Sequence, residues 1–373
     1  MSQRALAGLA GVSQGFISQV ETGVLSIDRR STLVAMAKAL QVTVADLLGQ
    51  PGDPTDPNKA VAAISVPEIR VALAEVEAGV VGKPERDRES VVAALVANDA
   101  HRLVCDFASA APMLPSLLRE SAAYGPALLS EVLHATASLL RSVGYRDLAW
   151  RASDMALAEA REAESVTLIG ATQFMRLMCM PTEASTVIAA QARTTYEELQ
   201  PKAADPAARR GYGALHLSAA LAEAQAGRTD QIDDHLEEAR REAVTLGEPA
   251  KPGGLSMSFG PTNVGLWRMG SALELGEYHR VIEIARTVNP EALPHANRQC
   301  SYWLDYGRAL SHIPGREHQA IAALARAETK APQYMKILPS ARNTVASMIT
   351  RARRKAVADD LRKLADRIGL QAV

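Results

Sequence analysis

Cysteines and aromatic residues are scarce in this sequence. Its three cysteines stand far apart, without the close pairs that bind metal ions, and an odd, scattered set is typical of reduced thiols in a cytoplasmic protein. Aromatic residues make up 4% of the 373 residues, while alanine, leucine, arginine and glutamate recur throughout. This composition favours helices over strands, so we expect an all-α protein.

Long apolar runs and an excess of one charge are also lacking. No stretch approaches the roughly 18 uninterrupted apolar residues that cross a membrane, and the first residues lack the basic and apolar regions of a signal peptide. The formal net charge is −1, so any attraction to nucleic acid has to come from a local surface. We therefore expect a cytoplasmic protein of more than one domain that does not enter a membrane.

Motifs of catalysis are missing as well. The sequence contains no HExxH, GxSxG, Walker or GxGxxG pattern, and its eight histidines are scattered without metal-ligand spacing. We therefore expect a protein that is not an enzyme and that needs no cofactor and no metal.

The clearest motif lies in the first fifty residues. Ser2 and Ser13 each stand directly before an apolar helical pattern, as N-cap residues do. Gly11 lies in the turn between the two patterns, and Gly23 fits the left-handed position after the second helix. Two short helices joined by a turn with a glycine form a helix-turn-helix.

Two further helical patterns follow. The segment "STLVAMAKALQ", residues 31–41, has Ser31 as its expected cap, and "TVADLLG", residues 43–49, ends at a glycine. Together with them, residues 2–49 resemble helices two to five of the helix-turn-helix domain of the XRE family, which includes phage repressors. The resemblance implies a DNA-binding domain over residues 1–50 and a double-stranded DNA operator as partner.

The same resemblance assigns the DNA contacts. Gln14 matches a position that reads base edges in the major groove, and Gln3 matches a phosphate contact at a helix N-terminus. Arg29 and Arg30 either neutralise phosphates or lie in a solvated loop. The predicted DNA-binding residues are Gln3, Ser13, Gln14, Gly15, Ser18, Gln19, Thr22, Arg29 and Arg30.

One element of that family's domain is missing, because the family has a further helix before the position of Ser2. Glu21 matches a residue that pairs with an arginine on this helix, so without the helix we expect a half-buried Glu21 that lacks its partner. Either the gene starts upstream, which we favour, or this four-helix unit is less stable than its relatives. Residues 1–50 hold four basic and three acidic side chains. So small a positive charge favours a homodimer, which doubles the phosphate contacts.

The remainder reads as a linker followed by a helical array. We expect a linker with a short helix over residues 51–90, a repeat domain over 91–345 and a capping helix over 346–373. The alternative for this last, basic helix is contact with DNA.

Turns centred on glycine or proline, each between two helical patterns, begin at positions 144, 181, 227, 276 and 315. Steps of 37, 46, 49 and 39 residues resemble degenerate tetratricopeptide (TPR) repeats, although generic helical hairpins fit too.

An effector site is expected in this array. TPR-like solenoids bind peptides or small molecules on a concave surface lined by the first helix of each pair, where polar residues recur at helical spacing. The alternative is structural, since a Trp or Tyr at such spacing is more often core, and a lone histidine is more often structural than a ligand. The candidate ligand-binding residues are Gln173, Arg176, His216, Asn263, Trp267, Arg298 and Tyr302.

The order of parts resembles a group of bacterial, actinobacterial-type regulators with an XRE domain followed by TPR repeats. It implies a homodimeric transcriptional regulator, associated with the nucleoid when bound to DNA, whose TPR-like domain senses a peptide or small-molecule effector. The alternative is a TPR adaptor protein whose N-terminal domain no longer binds DNA and only contacts a partner protein.

Overall fold

The computed structural model describes residues 1–25, 27, 29–40, 42, 47, 60–249, 255, 257–293, 295–352 and 355–370. Most of the helix predicted over 43–49, and the proline-rich segment at 50–58, lie outside this described part. Within it the regular elements are α-helices and short 3-10 helices, without a strand, which confirms the predicted all-α class. A search of the same residues finds no helix with the length and apolar character to cross a bilayer.

The N-terminal unit has the predicted local structure. Its helices are α1 (Gln3–Ala10), α2 (Gln14–Glu21) and α3 (Arg30–Leu40). The hydroxyls of Ser2 and Ser13 each accept the backbone N–H three residues later, at 3.2 and 3.1 Å. Gly11 and Gly23 have φ of +66° and +70°, which favour glycine because a Cβ atom is strained there. The third helix begins one residue before Ser31, which is therefore not its cap.

A small apolar core holds these three helices together. It consists of buried side chains from all of them: Leu6, Ala7, Ala10, Ile17 and Met36. Ile17 is fully buried, because the apolar stripe of α2 faces α1. The opposite face of α2 is thereby left to its polar residues.

The body of the protein follows from residue 60. Its first helices are α4 (Ala60–Ala63), α5 (Val66–Glu77), α6 (Arg88–Leu103), α7 (Phe107–Ala110), α8 (Leu114–Ser121), α9 (Pro126–Ser142), α10 (Arg146–Glu162), α11 (Val166–Cys179), α12 (Ser185–Leu199) and α13 (Pro206–Gln225). The others are α14 (Ile232–Leu246), α15 (Pro261–Leu275), α16 (Tyr278–Ala285), α17 (Ala296–Ser311), α18 (Glu317–Lys330), α19 (Pro332–Ile337), α20 (Pro339–Arg351) and α21 (Lys355–Arg367). Consecutive helices pack against each other along most of this series.

The five predicted turns are all followed by helices, which start at residues 146, 185, 232, 278 and 317. Four of these turns contain a glycine in the left-handed region: Gly144, Gly227, Gly276 and Gly315 have φ between +71° and +92°. The helical hairpins are thus present where the sequence places them, whereas their identification as TPR repeats stays a prediction.

The predicted boundaries of the body need correction at both ends. Residues 51–90 were predicted to be a linker with a short helix. The segment does contain α5, but Ile69 and Leu73 of this helix are buried in the largest core of the body, because α5 packs its apolar stripe on α8. At the other end, the boundary at residue 346 falls inside α20. The basic C-terminal helix α21 is separate, and its apolar side chains, including Leu361, are buried in the same core.

One close approach of backbones fixes the middle of the body. A Cβ atom built on Gly170 of α11 would lie 2.9 Å from the Cα atom of Gly211 on α13. Real Cβ atoms are hardly ever so close to a backbone atom, so only glycine allows this spacing of the two helices.

Candidate DNA-binding surface and cavity

The second helix of the N-terminal unit presents a polar face to solvent. Gln14, Gly15 and Gln19 are exposed, whereas Ile17 between them is buried. Glutamine side chains can bond the edge of adenine in the major groove, and a glycine lets the backbone come close to the duplex. The exposed face of α2 therefore has the groups that direct contact with bases requires.

Other predicted DNA contacts already have partners within the unit. The Ser13 hydroxyl caps α2, and the Thr22 hydroxyl donates to the carbonyl oxygen of Ser18 at 2.8 Å. The expectation of a half-buried Glu21 without a partner is wrong, since Glu21 is exposed and accepts a hydrogen bond of 2.6 Å from the Gln3 amide. The first turn of α1 lies beside the end of α2, which brings these two side chains together.

The N-terminal unit contacts the body at several points: α3 lies against the 3-10 helix Thr182–Ala184, and two glycines mark further close approaches. A Cβ atom built on Gly276, at the end of α15, would overlap the guanidinium of Arg29. A Cβ atom built on Gly23 would lie 3.2 Å from the Thr350 hydroxyl on α20. The predicted phosphate contact Arg29 is thus exposed but rests on the body, and the side chain of Arg30 lies outside the described residues.

The predicted effector residues do not form one site. Gln173 and Arg176 lie on α11, where Arg176 donates to the side chains of Asp154 and Gln191, and the Gln173 amide donates to the Gln191 carbonyl oxygen at 3.5 Å. These bonds connect three neighbouring helices. They are contacts of structural character.

His216 belongs to a second, separate cluster. Its Nδ1 lies 2.9 Å from Nδ1 of His235, and its ring stacks on Tyr196 with 4.1 Å between the centroids. Burial, followed by the neighbouring His235, lowers the pKa of His216 to about 3. Among the residues described, no group of three potential metal ligands comes together, here or elsewhere.

Two of the remaining candidates do meet. The guanidinium carbon of Arg298 lies 5.3 Å from the ring centroid of Trp267, within the range of a cation–π contact. Asn263 is buried on the same helix as Trp267, and its Oδ1 has no hydrogen-bond partner in the described chain. Tyr302 is part of the core instead, because its hydroxyl donates to the Ala285 carbonyl oxygen at 2.8 Å.

Arg298 also lines a cavity of about 190 Å³. Of the predicted effector residues, only Arg298 is among those that line it. Helices α6, α7, α9, α11, α17 and α19 contribute its walls, together with residues 257, 258 and 295. One pattern in the sequence could have indicated this cavity. On α9, His134, Ser138 and Arg141 are spaced four and three residues apart, so they lie on one face of a helix that is otherwise mostly apolar and buried.

The polar groups of the cavity influence one another. Arg102 of α6 bonds Asp99 at 2.8 Å. Burial, with the charge of Arg102 second, lowers the pKa of His134 to about 3, and burial together with Arg298 lowers the pKa of His295 to about 4. Burial and then the charge of Arg141 lower the pKa of Arg298 to about 10, so this guanidinium stays protonated at neutral pH.

Comparison with known proteins bears on the first of these two sites. A family model described as a helix-turn-helix domain matches residues 1–48. No curated protein and no solved structure matches the chain. The match covers α1, α2 and α3 and confirms the predicted helix-turn-helix domain, while the XRE family itself stays a prediction.

Proposed function

We propose that this protein regulates transcription rather than catalysing a reaction. It binds an operator in double-stranded DNA through α2, as a homodimer, and an effector bound by its helical body changes that binding. The observation that carries the proposal is the exposed polar face of α2, formed by Gln14, Gly15 and Gln19, inside a domain that matches a helix-turn-helix model. A recognition helix needs such an unobstructed face in order to enter the major groove.

A dimer accounts for the weak charge of the unit. One copy has only a small positive charge over residues 1–50, and phosphate contacts supply most of the sequence-independent affinity for DNA. Two copies double those contacts and read two half-sites about 34 Å apart on one side of the duplex. A change in the distance between the two α2 helices then changes affinity strongly, because the half-site spacing is fixed.

The contacts between the unit and the body support control by an effector. Helix α15 carries Trp267, on which Arg298 of the cavity stacks, and the same helix ends at Gly276, against which Arg29 lies. A ligand that displaces Arg298 would thus act on an element that also holds the DNA-binding unit. Coupling of this kind requires that the ligand bind the two arrangements with different affinity.

Selection of duplexes from a random DNA pool, followed by gel-shift titration at several salt concentrations, tests the proposal. We expect a sequence-specific complex whose affinity falls with salt, and a loss of about five- to 150-fold on Gln14→Ala, the equivalent of ~1–3 kcal/mol for one base contact. Gln200→Ala, which removes an exposed glutamine from the body, is the matched control. Failure to enrich any sequence would refute DNA recognition and favour the adaptor function.

A further inference from the structure

The walls of the cavity carry an excess of positive charge. Arg102, Arg141 and Arg298 come from three different helices, and the one carboxylate in the lining, Asp99, is bonded to Arg102. The side chains of Arg141 and Arg298 are partly buried, and in the described part of the chain neither has a carboxylate within ion-pair distance. Asp305 is near enough to raise the pKa of Arg298 slightly, but its carboxylate is bonded to Arg308 at 3.2 Å. The lining therefore has two guanidinium groups without a carboxylate at ion-pair distance among the described residues.

Charges of this kind are unfavourable inside a protein unless an anion accompanies them. Removal of a guanidinium from water costs free energy, and a second positive group nearby adds repulsion. The two arginines are close enough for Arg141 to lower the pKa of Arg298. Their other contacts are a bond of 3.1 Å from Arg141 Nε to the Met178 carbonyl oxygen and the stacking of Arg298 on Trp267, and neither supplies a negative charge.

Further polar atoms at the cavity lack partners. His134 is 6% exposed and its Nε2 has no hydrogen-bond partner among the described residues, and the same holds for Nε of Arg102 and Oδ1 of Asn297. Buried polar atoms in native proteins are nearly always bonded, to protein or to another molecule. Those without a partner in a cavity mark places where a ligand or water supplies the bond.

Part of the wall is apolar. It carries aromatic and thioether surface beside the guanidinium groups, contributed by Phe174, Met175 and Met178 of α11 and by Met257. A cavity of about 190 Å³ holds many times the volume of one water molecule, for which roughly 10–15 Å³ suffices. The site thus has room for a small organic molecule with an apolar body and a charged end.

We propose that this cavity binds a small organic anion, a carboxylate or phosphate ester with an apolar body, whose anionic group is held by Arg141 and Arg298. Guanidinium groups suit both anions, because their donors match the spacing of two oxygen atoms. The inference rests on the proposed function for its biological meaning, since it names the class of effector, but the binding itself is measured without DNA.

Three probes with the same ring distinguish the possible ligands: phenyl phosphate, benzoate and the neutral benzamide. Calorimetric titration of the full chain is carried out up to about 10 mM, the range expected for ligands of this size. We expect at least one of the anions to bind and benzamide not to bind. Comparison of phenyl phosphate with benzoate then shows whether the site prefers phosphate or carboxylate.

Substitutions locate the binding. Arg298→Gln and Arg141→Gln are each expected to weaken the better anion about ten- to 100-fold, because each removes a charge-assisted contact. Arg240→Gln, which removes an exposed arginine that does not line the cavity, leaves binding unchanged. Tryptophan fluorescence verifies folding; if Arg298→Gln fails to fold, Arg141→Gln and competition by inorganic phosphate in the unaltered chain carry the test.

Two results would overturn the inference: neither anion binds, or one binds with the same affinity in both arginine variants. These results are separate from those of the DNA experiment. A chain that selects a DNA sequence but binds no anion retains the proposed function and loses this effector class. A chain that binds an anion but no DNA retains the cavity and loses the regulator.

Discussion

Buried histidines make the body of this protein sensitive to acid. His134 and His216 are 6% and 7% exposed, and burial lowers the pKa of each to about 3. In the unfolded chain a histidine has a pKa of about 6.5. The unfolded state therefore takes up protons first as the pH falls, and the stability that depends on the neutral rings is complete above pH ~6.5 and is lost between ~6.5 and ~3.

The size of the effect follows from the same pKa values. At pH ~5, about 1.5 units below the unfolded pKa, each ring loses roughly 2 kcal/mol, because one unit corresponds to about 1.4 kcal/mol. Two independent rings give about 4 kcal/mol between pH ~7.5 and pH ~5. That is a large part of the ~5–15 kcal/mol by which domains are ordinarily stable.

Urea denaturation followed by tryptophan fluorescence measures this difference in the body alone, because all three tryptophans, Trp150, Trp267 and Trp303, lie there. We expect the double variant His134→Gln, His216→Gln to lose about 4 kcal/mol of the pH dependence and to keep the part contributed by His295 and His235, whose pKa values burial also lowers. His318→Gln, which removes an exposed histidine, keeps it. The reasoning fails if the unaltered chain loses less than about 1 kcal/mol over this range, or if the double variant loses as much as the parent.

Three other variants test the packing. Gly213→Ala places a methyl group in overlap with the buried ring of Phe259. We expect the free energy of unfolding of the body, measured by urea denaturation, to fall by about 1–3 kcal/mol, with α2 still able to bind DNA. Gly276→Ala places a methyl group in overlap with the guanidinium of Arg29 and strains a backbone at φ +75°. We expect the substitution to lower the free energy of unfolding less in an Arg29→Ala background, and a double-mutant cycle measures this coupling. Ile17→Ala removes a fully buried side chain from the small N-terminal core; we expect it to cost about 2–5 kcal/mol in that unit and to abolish DNA binding, without a change in tryptophan fluorescence.

The sequence was sufficient for features that depend on neighbours a few residues away. Ser2 and Ser13 cap their helices through a backbone N–H three residues later, and Gly11 adopts its left-handed conformation within one turn. The prediction of α1, α2 and their exposed polar face was possible because the bonds and the apolar spacing that determine them are local.

Features that depend on distant parts of the chain were not predictable in the same way. Arg102, Arg141 and Arg298 meet in one cavity only because α6, α9 and α17 pack around it, and no spacing in the sequence relates them. The burial of Tyr302 in the core, rather than at the cavity, depends likewise on a bond to the carbonyl of Ala285 on another helix. The environment of Glu21 was mispredicted because the reach of the Gln3 side chain depends on how two helices cross.

The way in which the N-terminal unit touches the body has an evolutionary consequence. Its contacts with Gly276, Thr350 and the 3-10 helix Thr182–Ala184 hold the unit directly against the body. Most substitutions on the exposed surface of the body leave these contacts in place. A side chain acquired at position 276, by contrast, would shift the angle between the two units in a single mutational step.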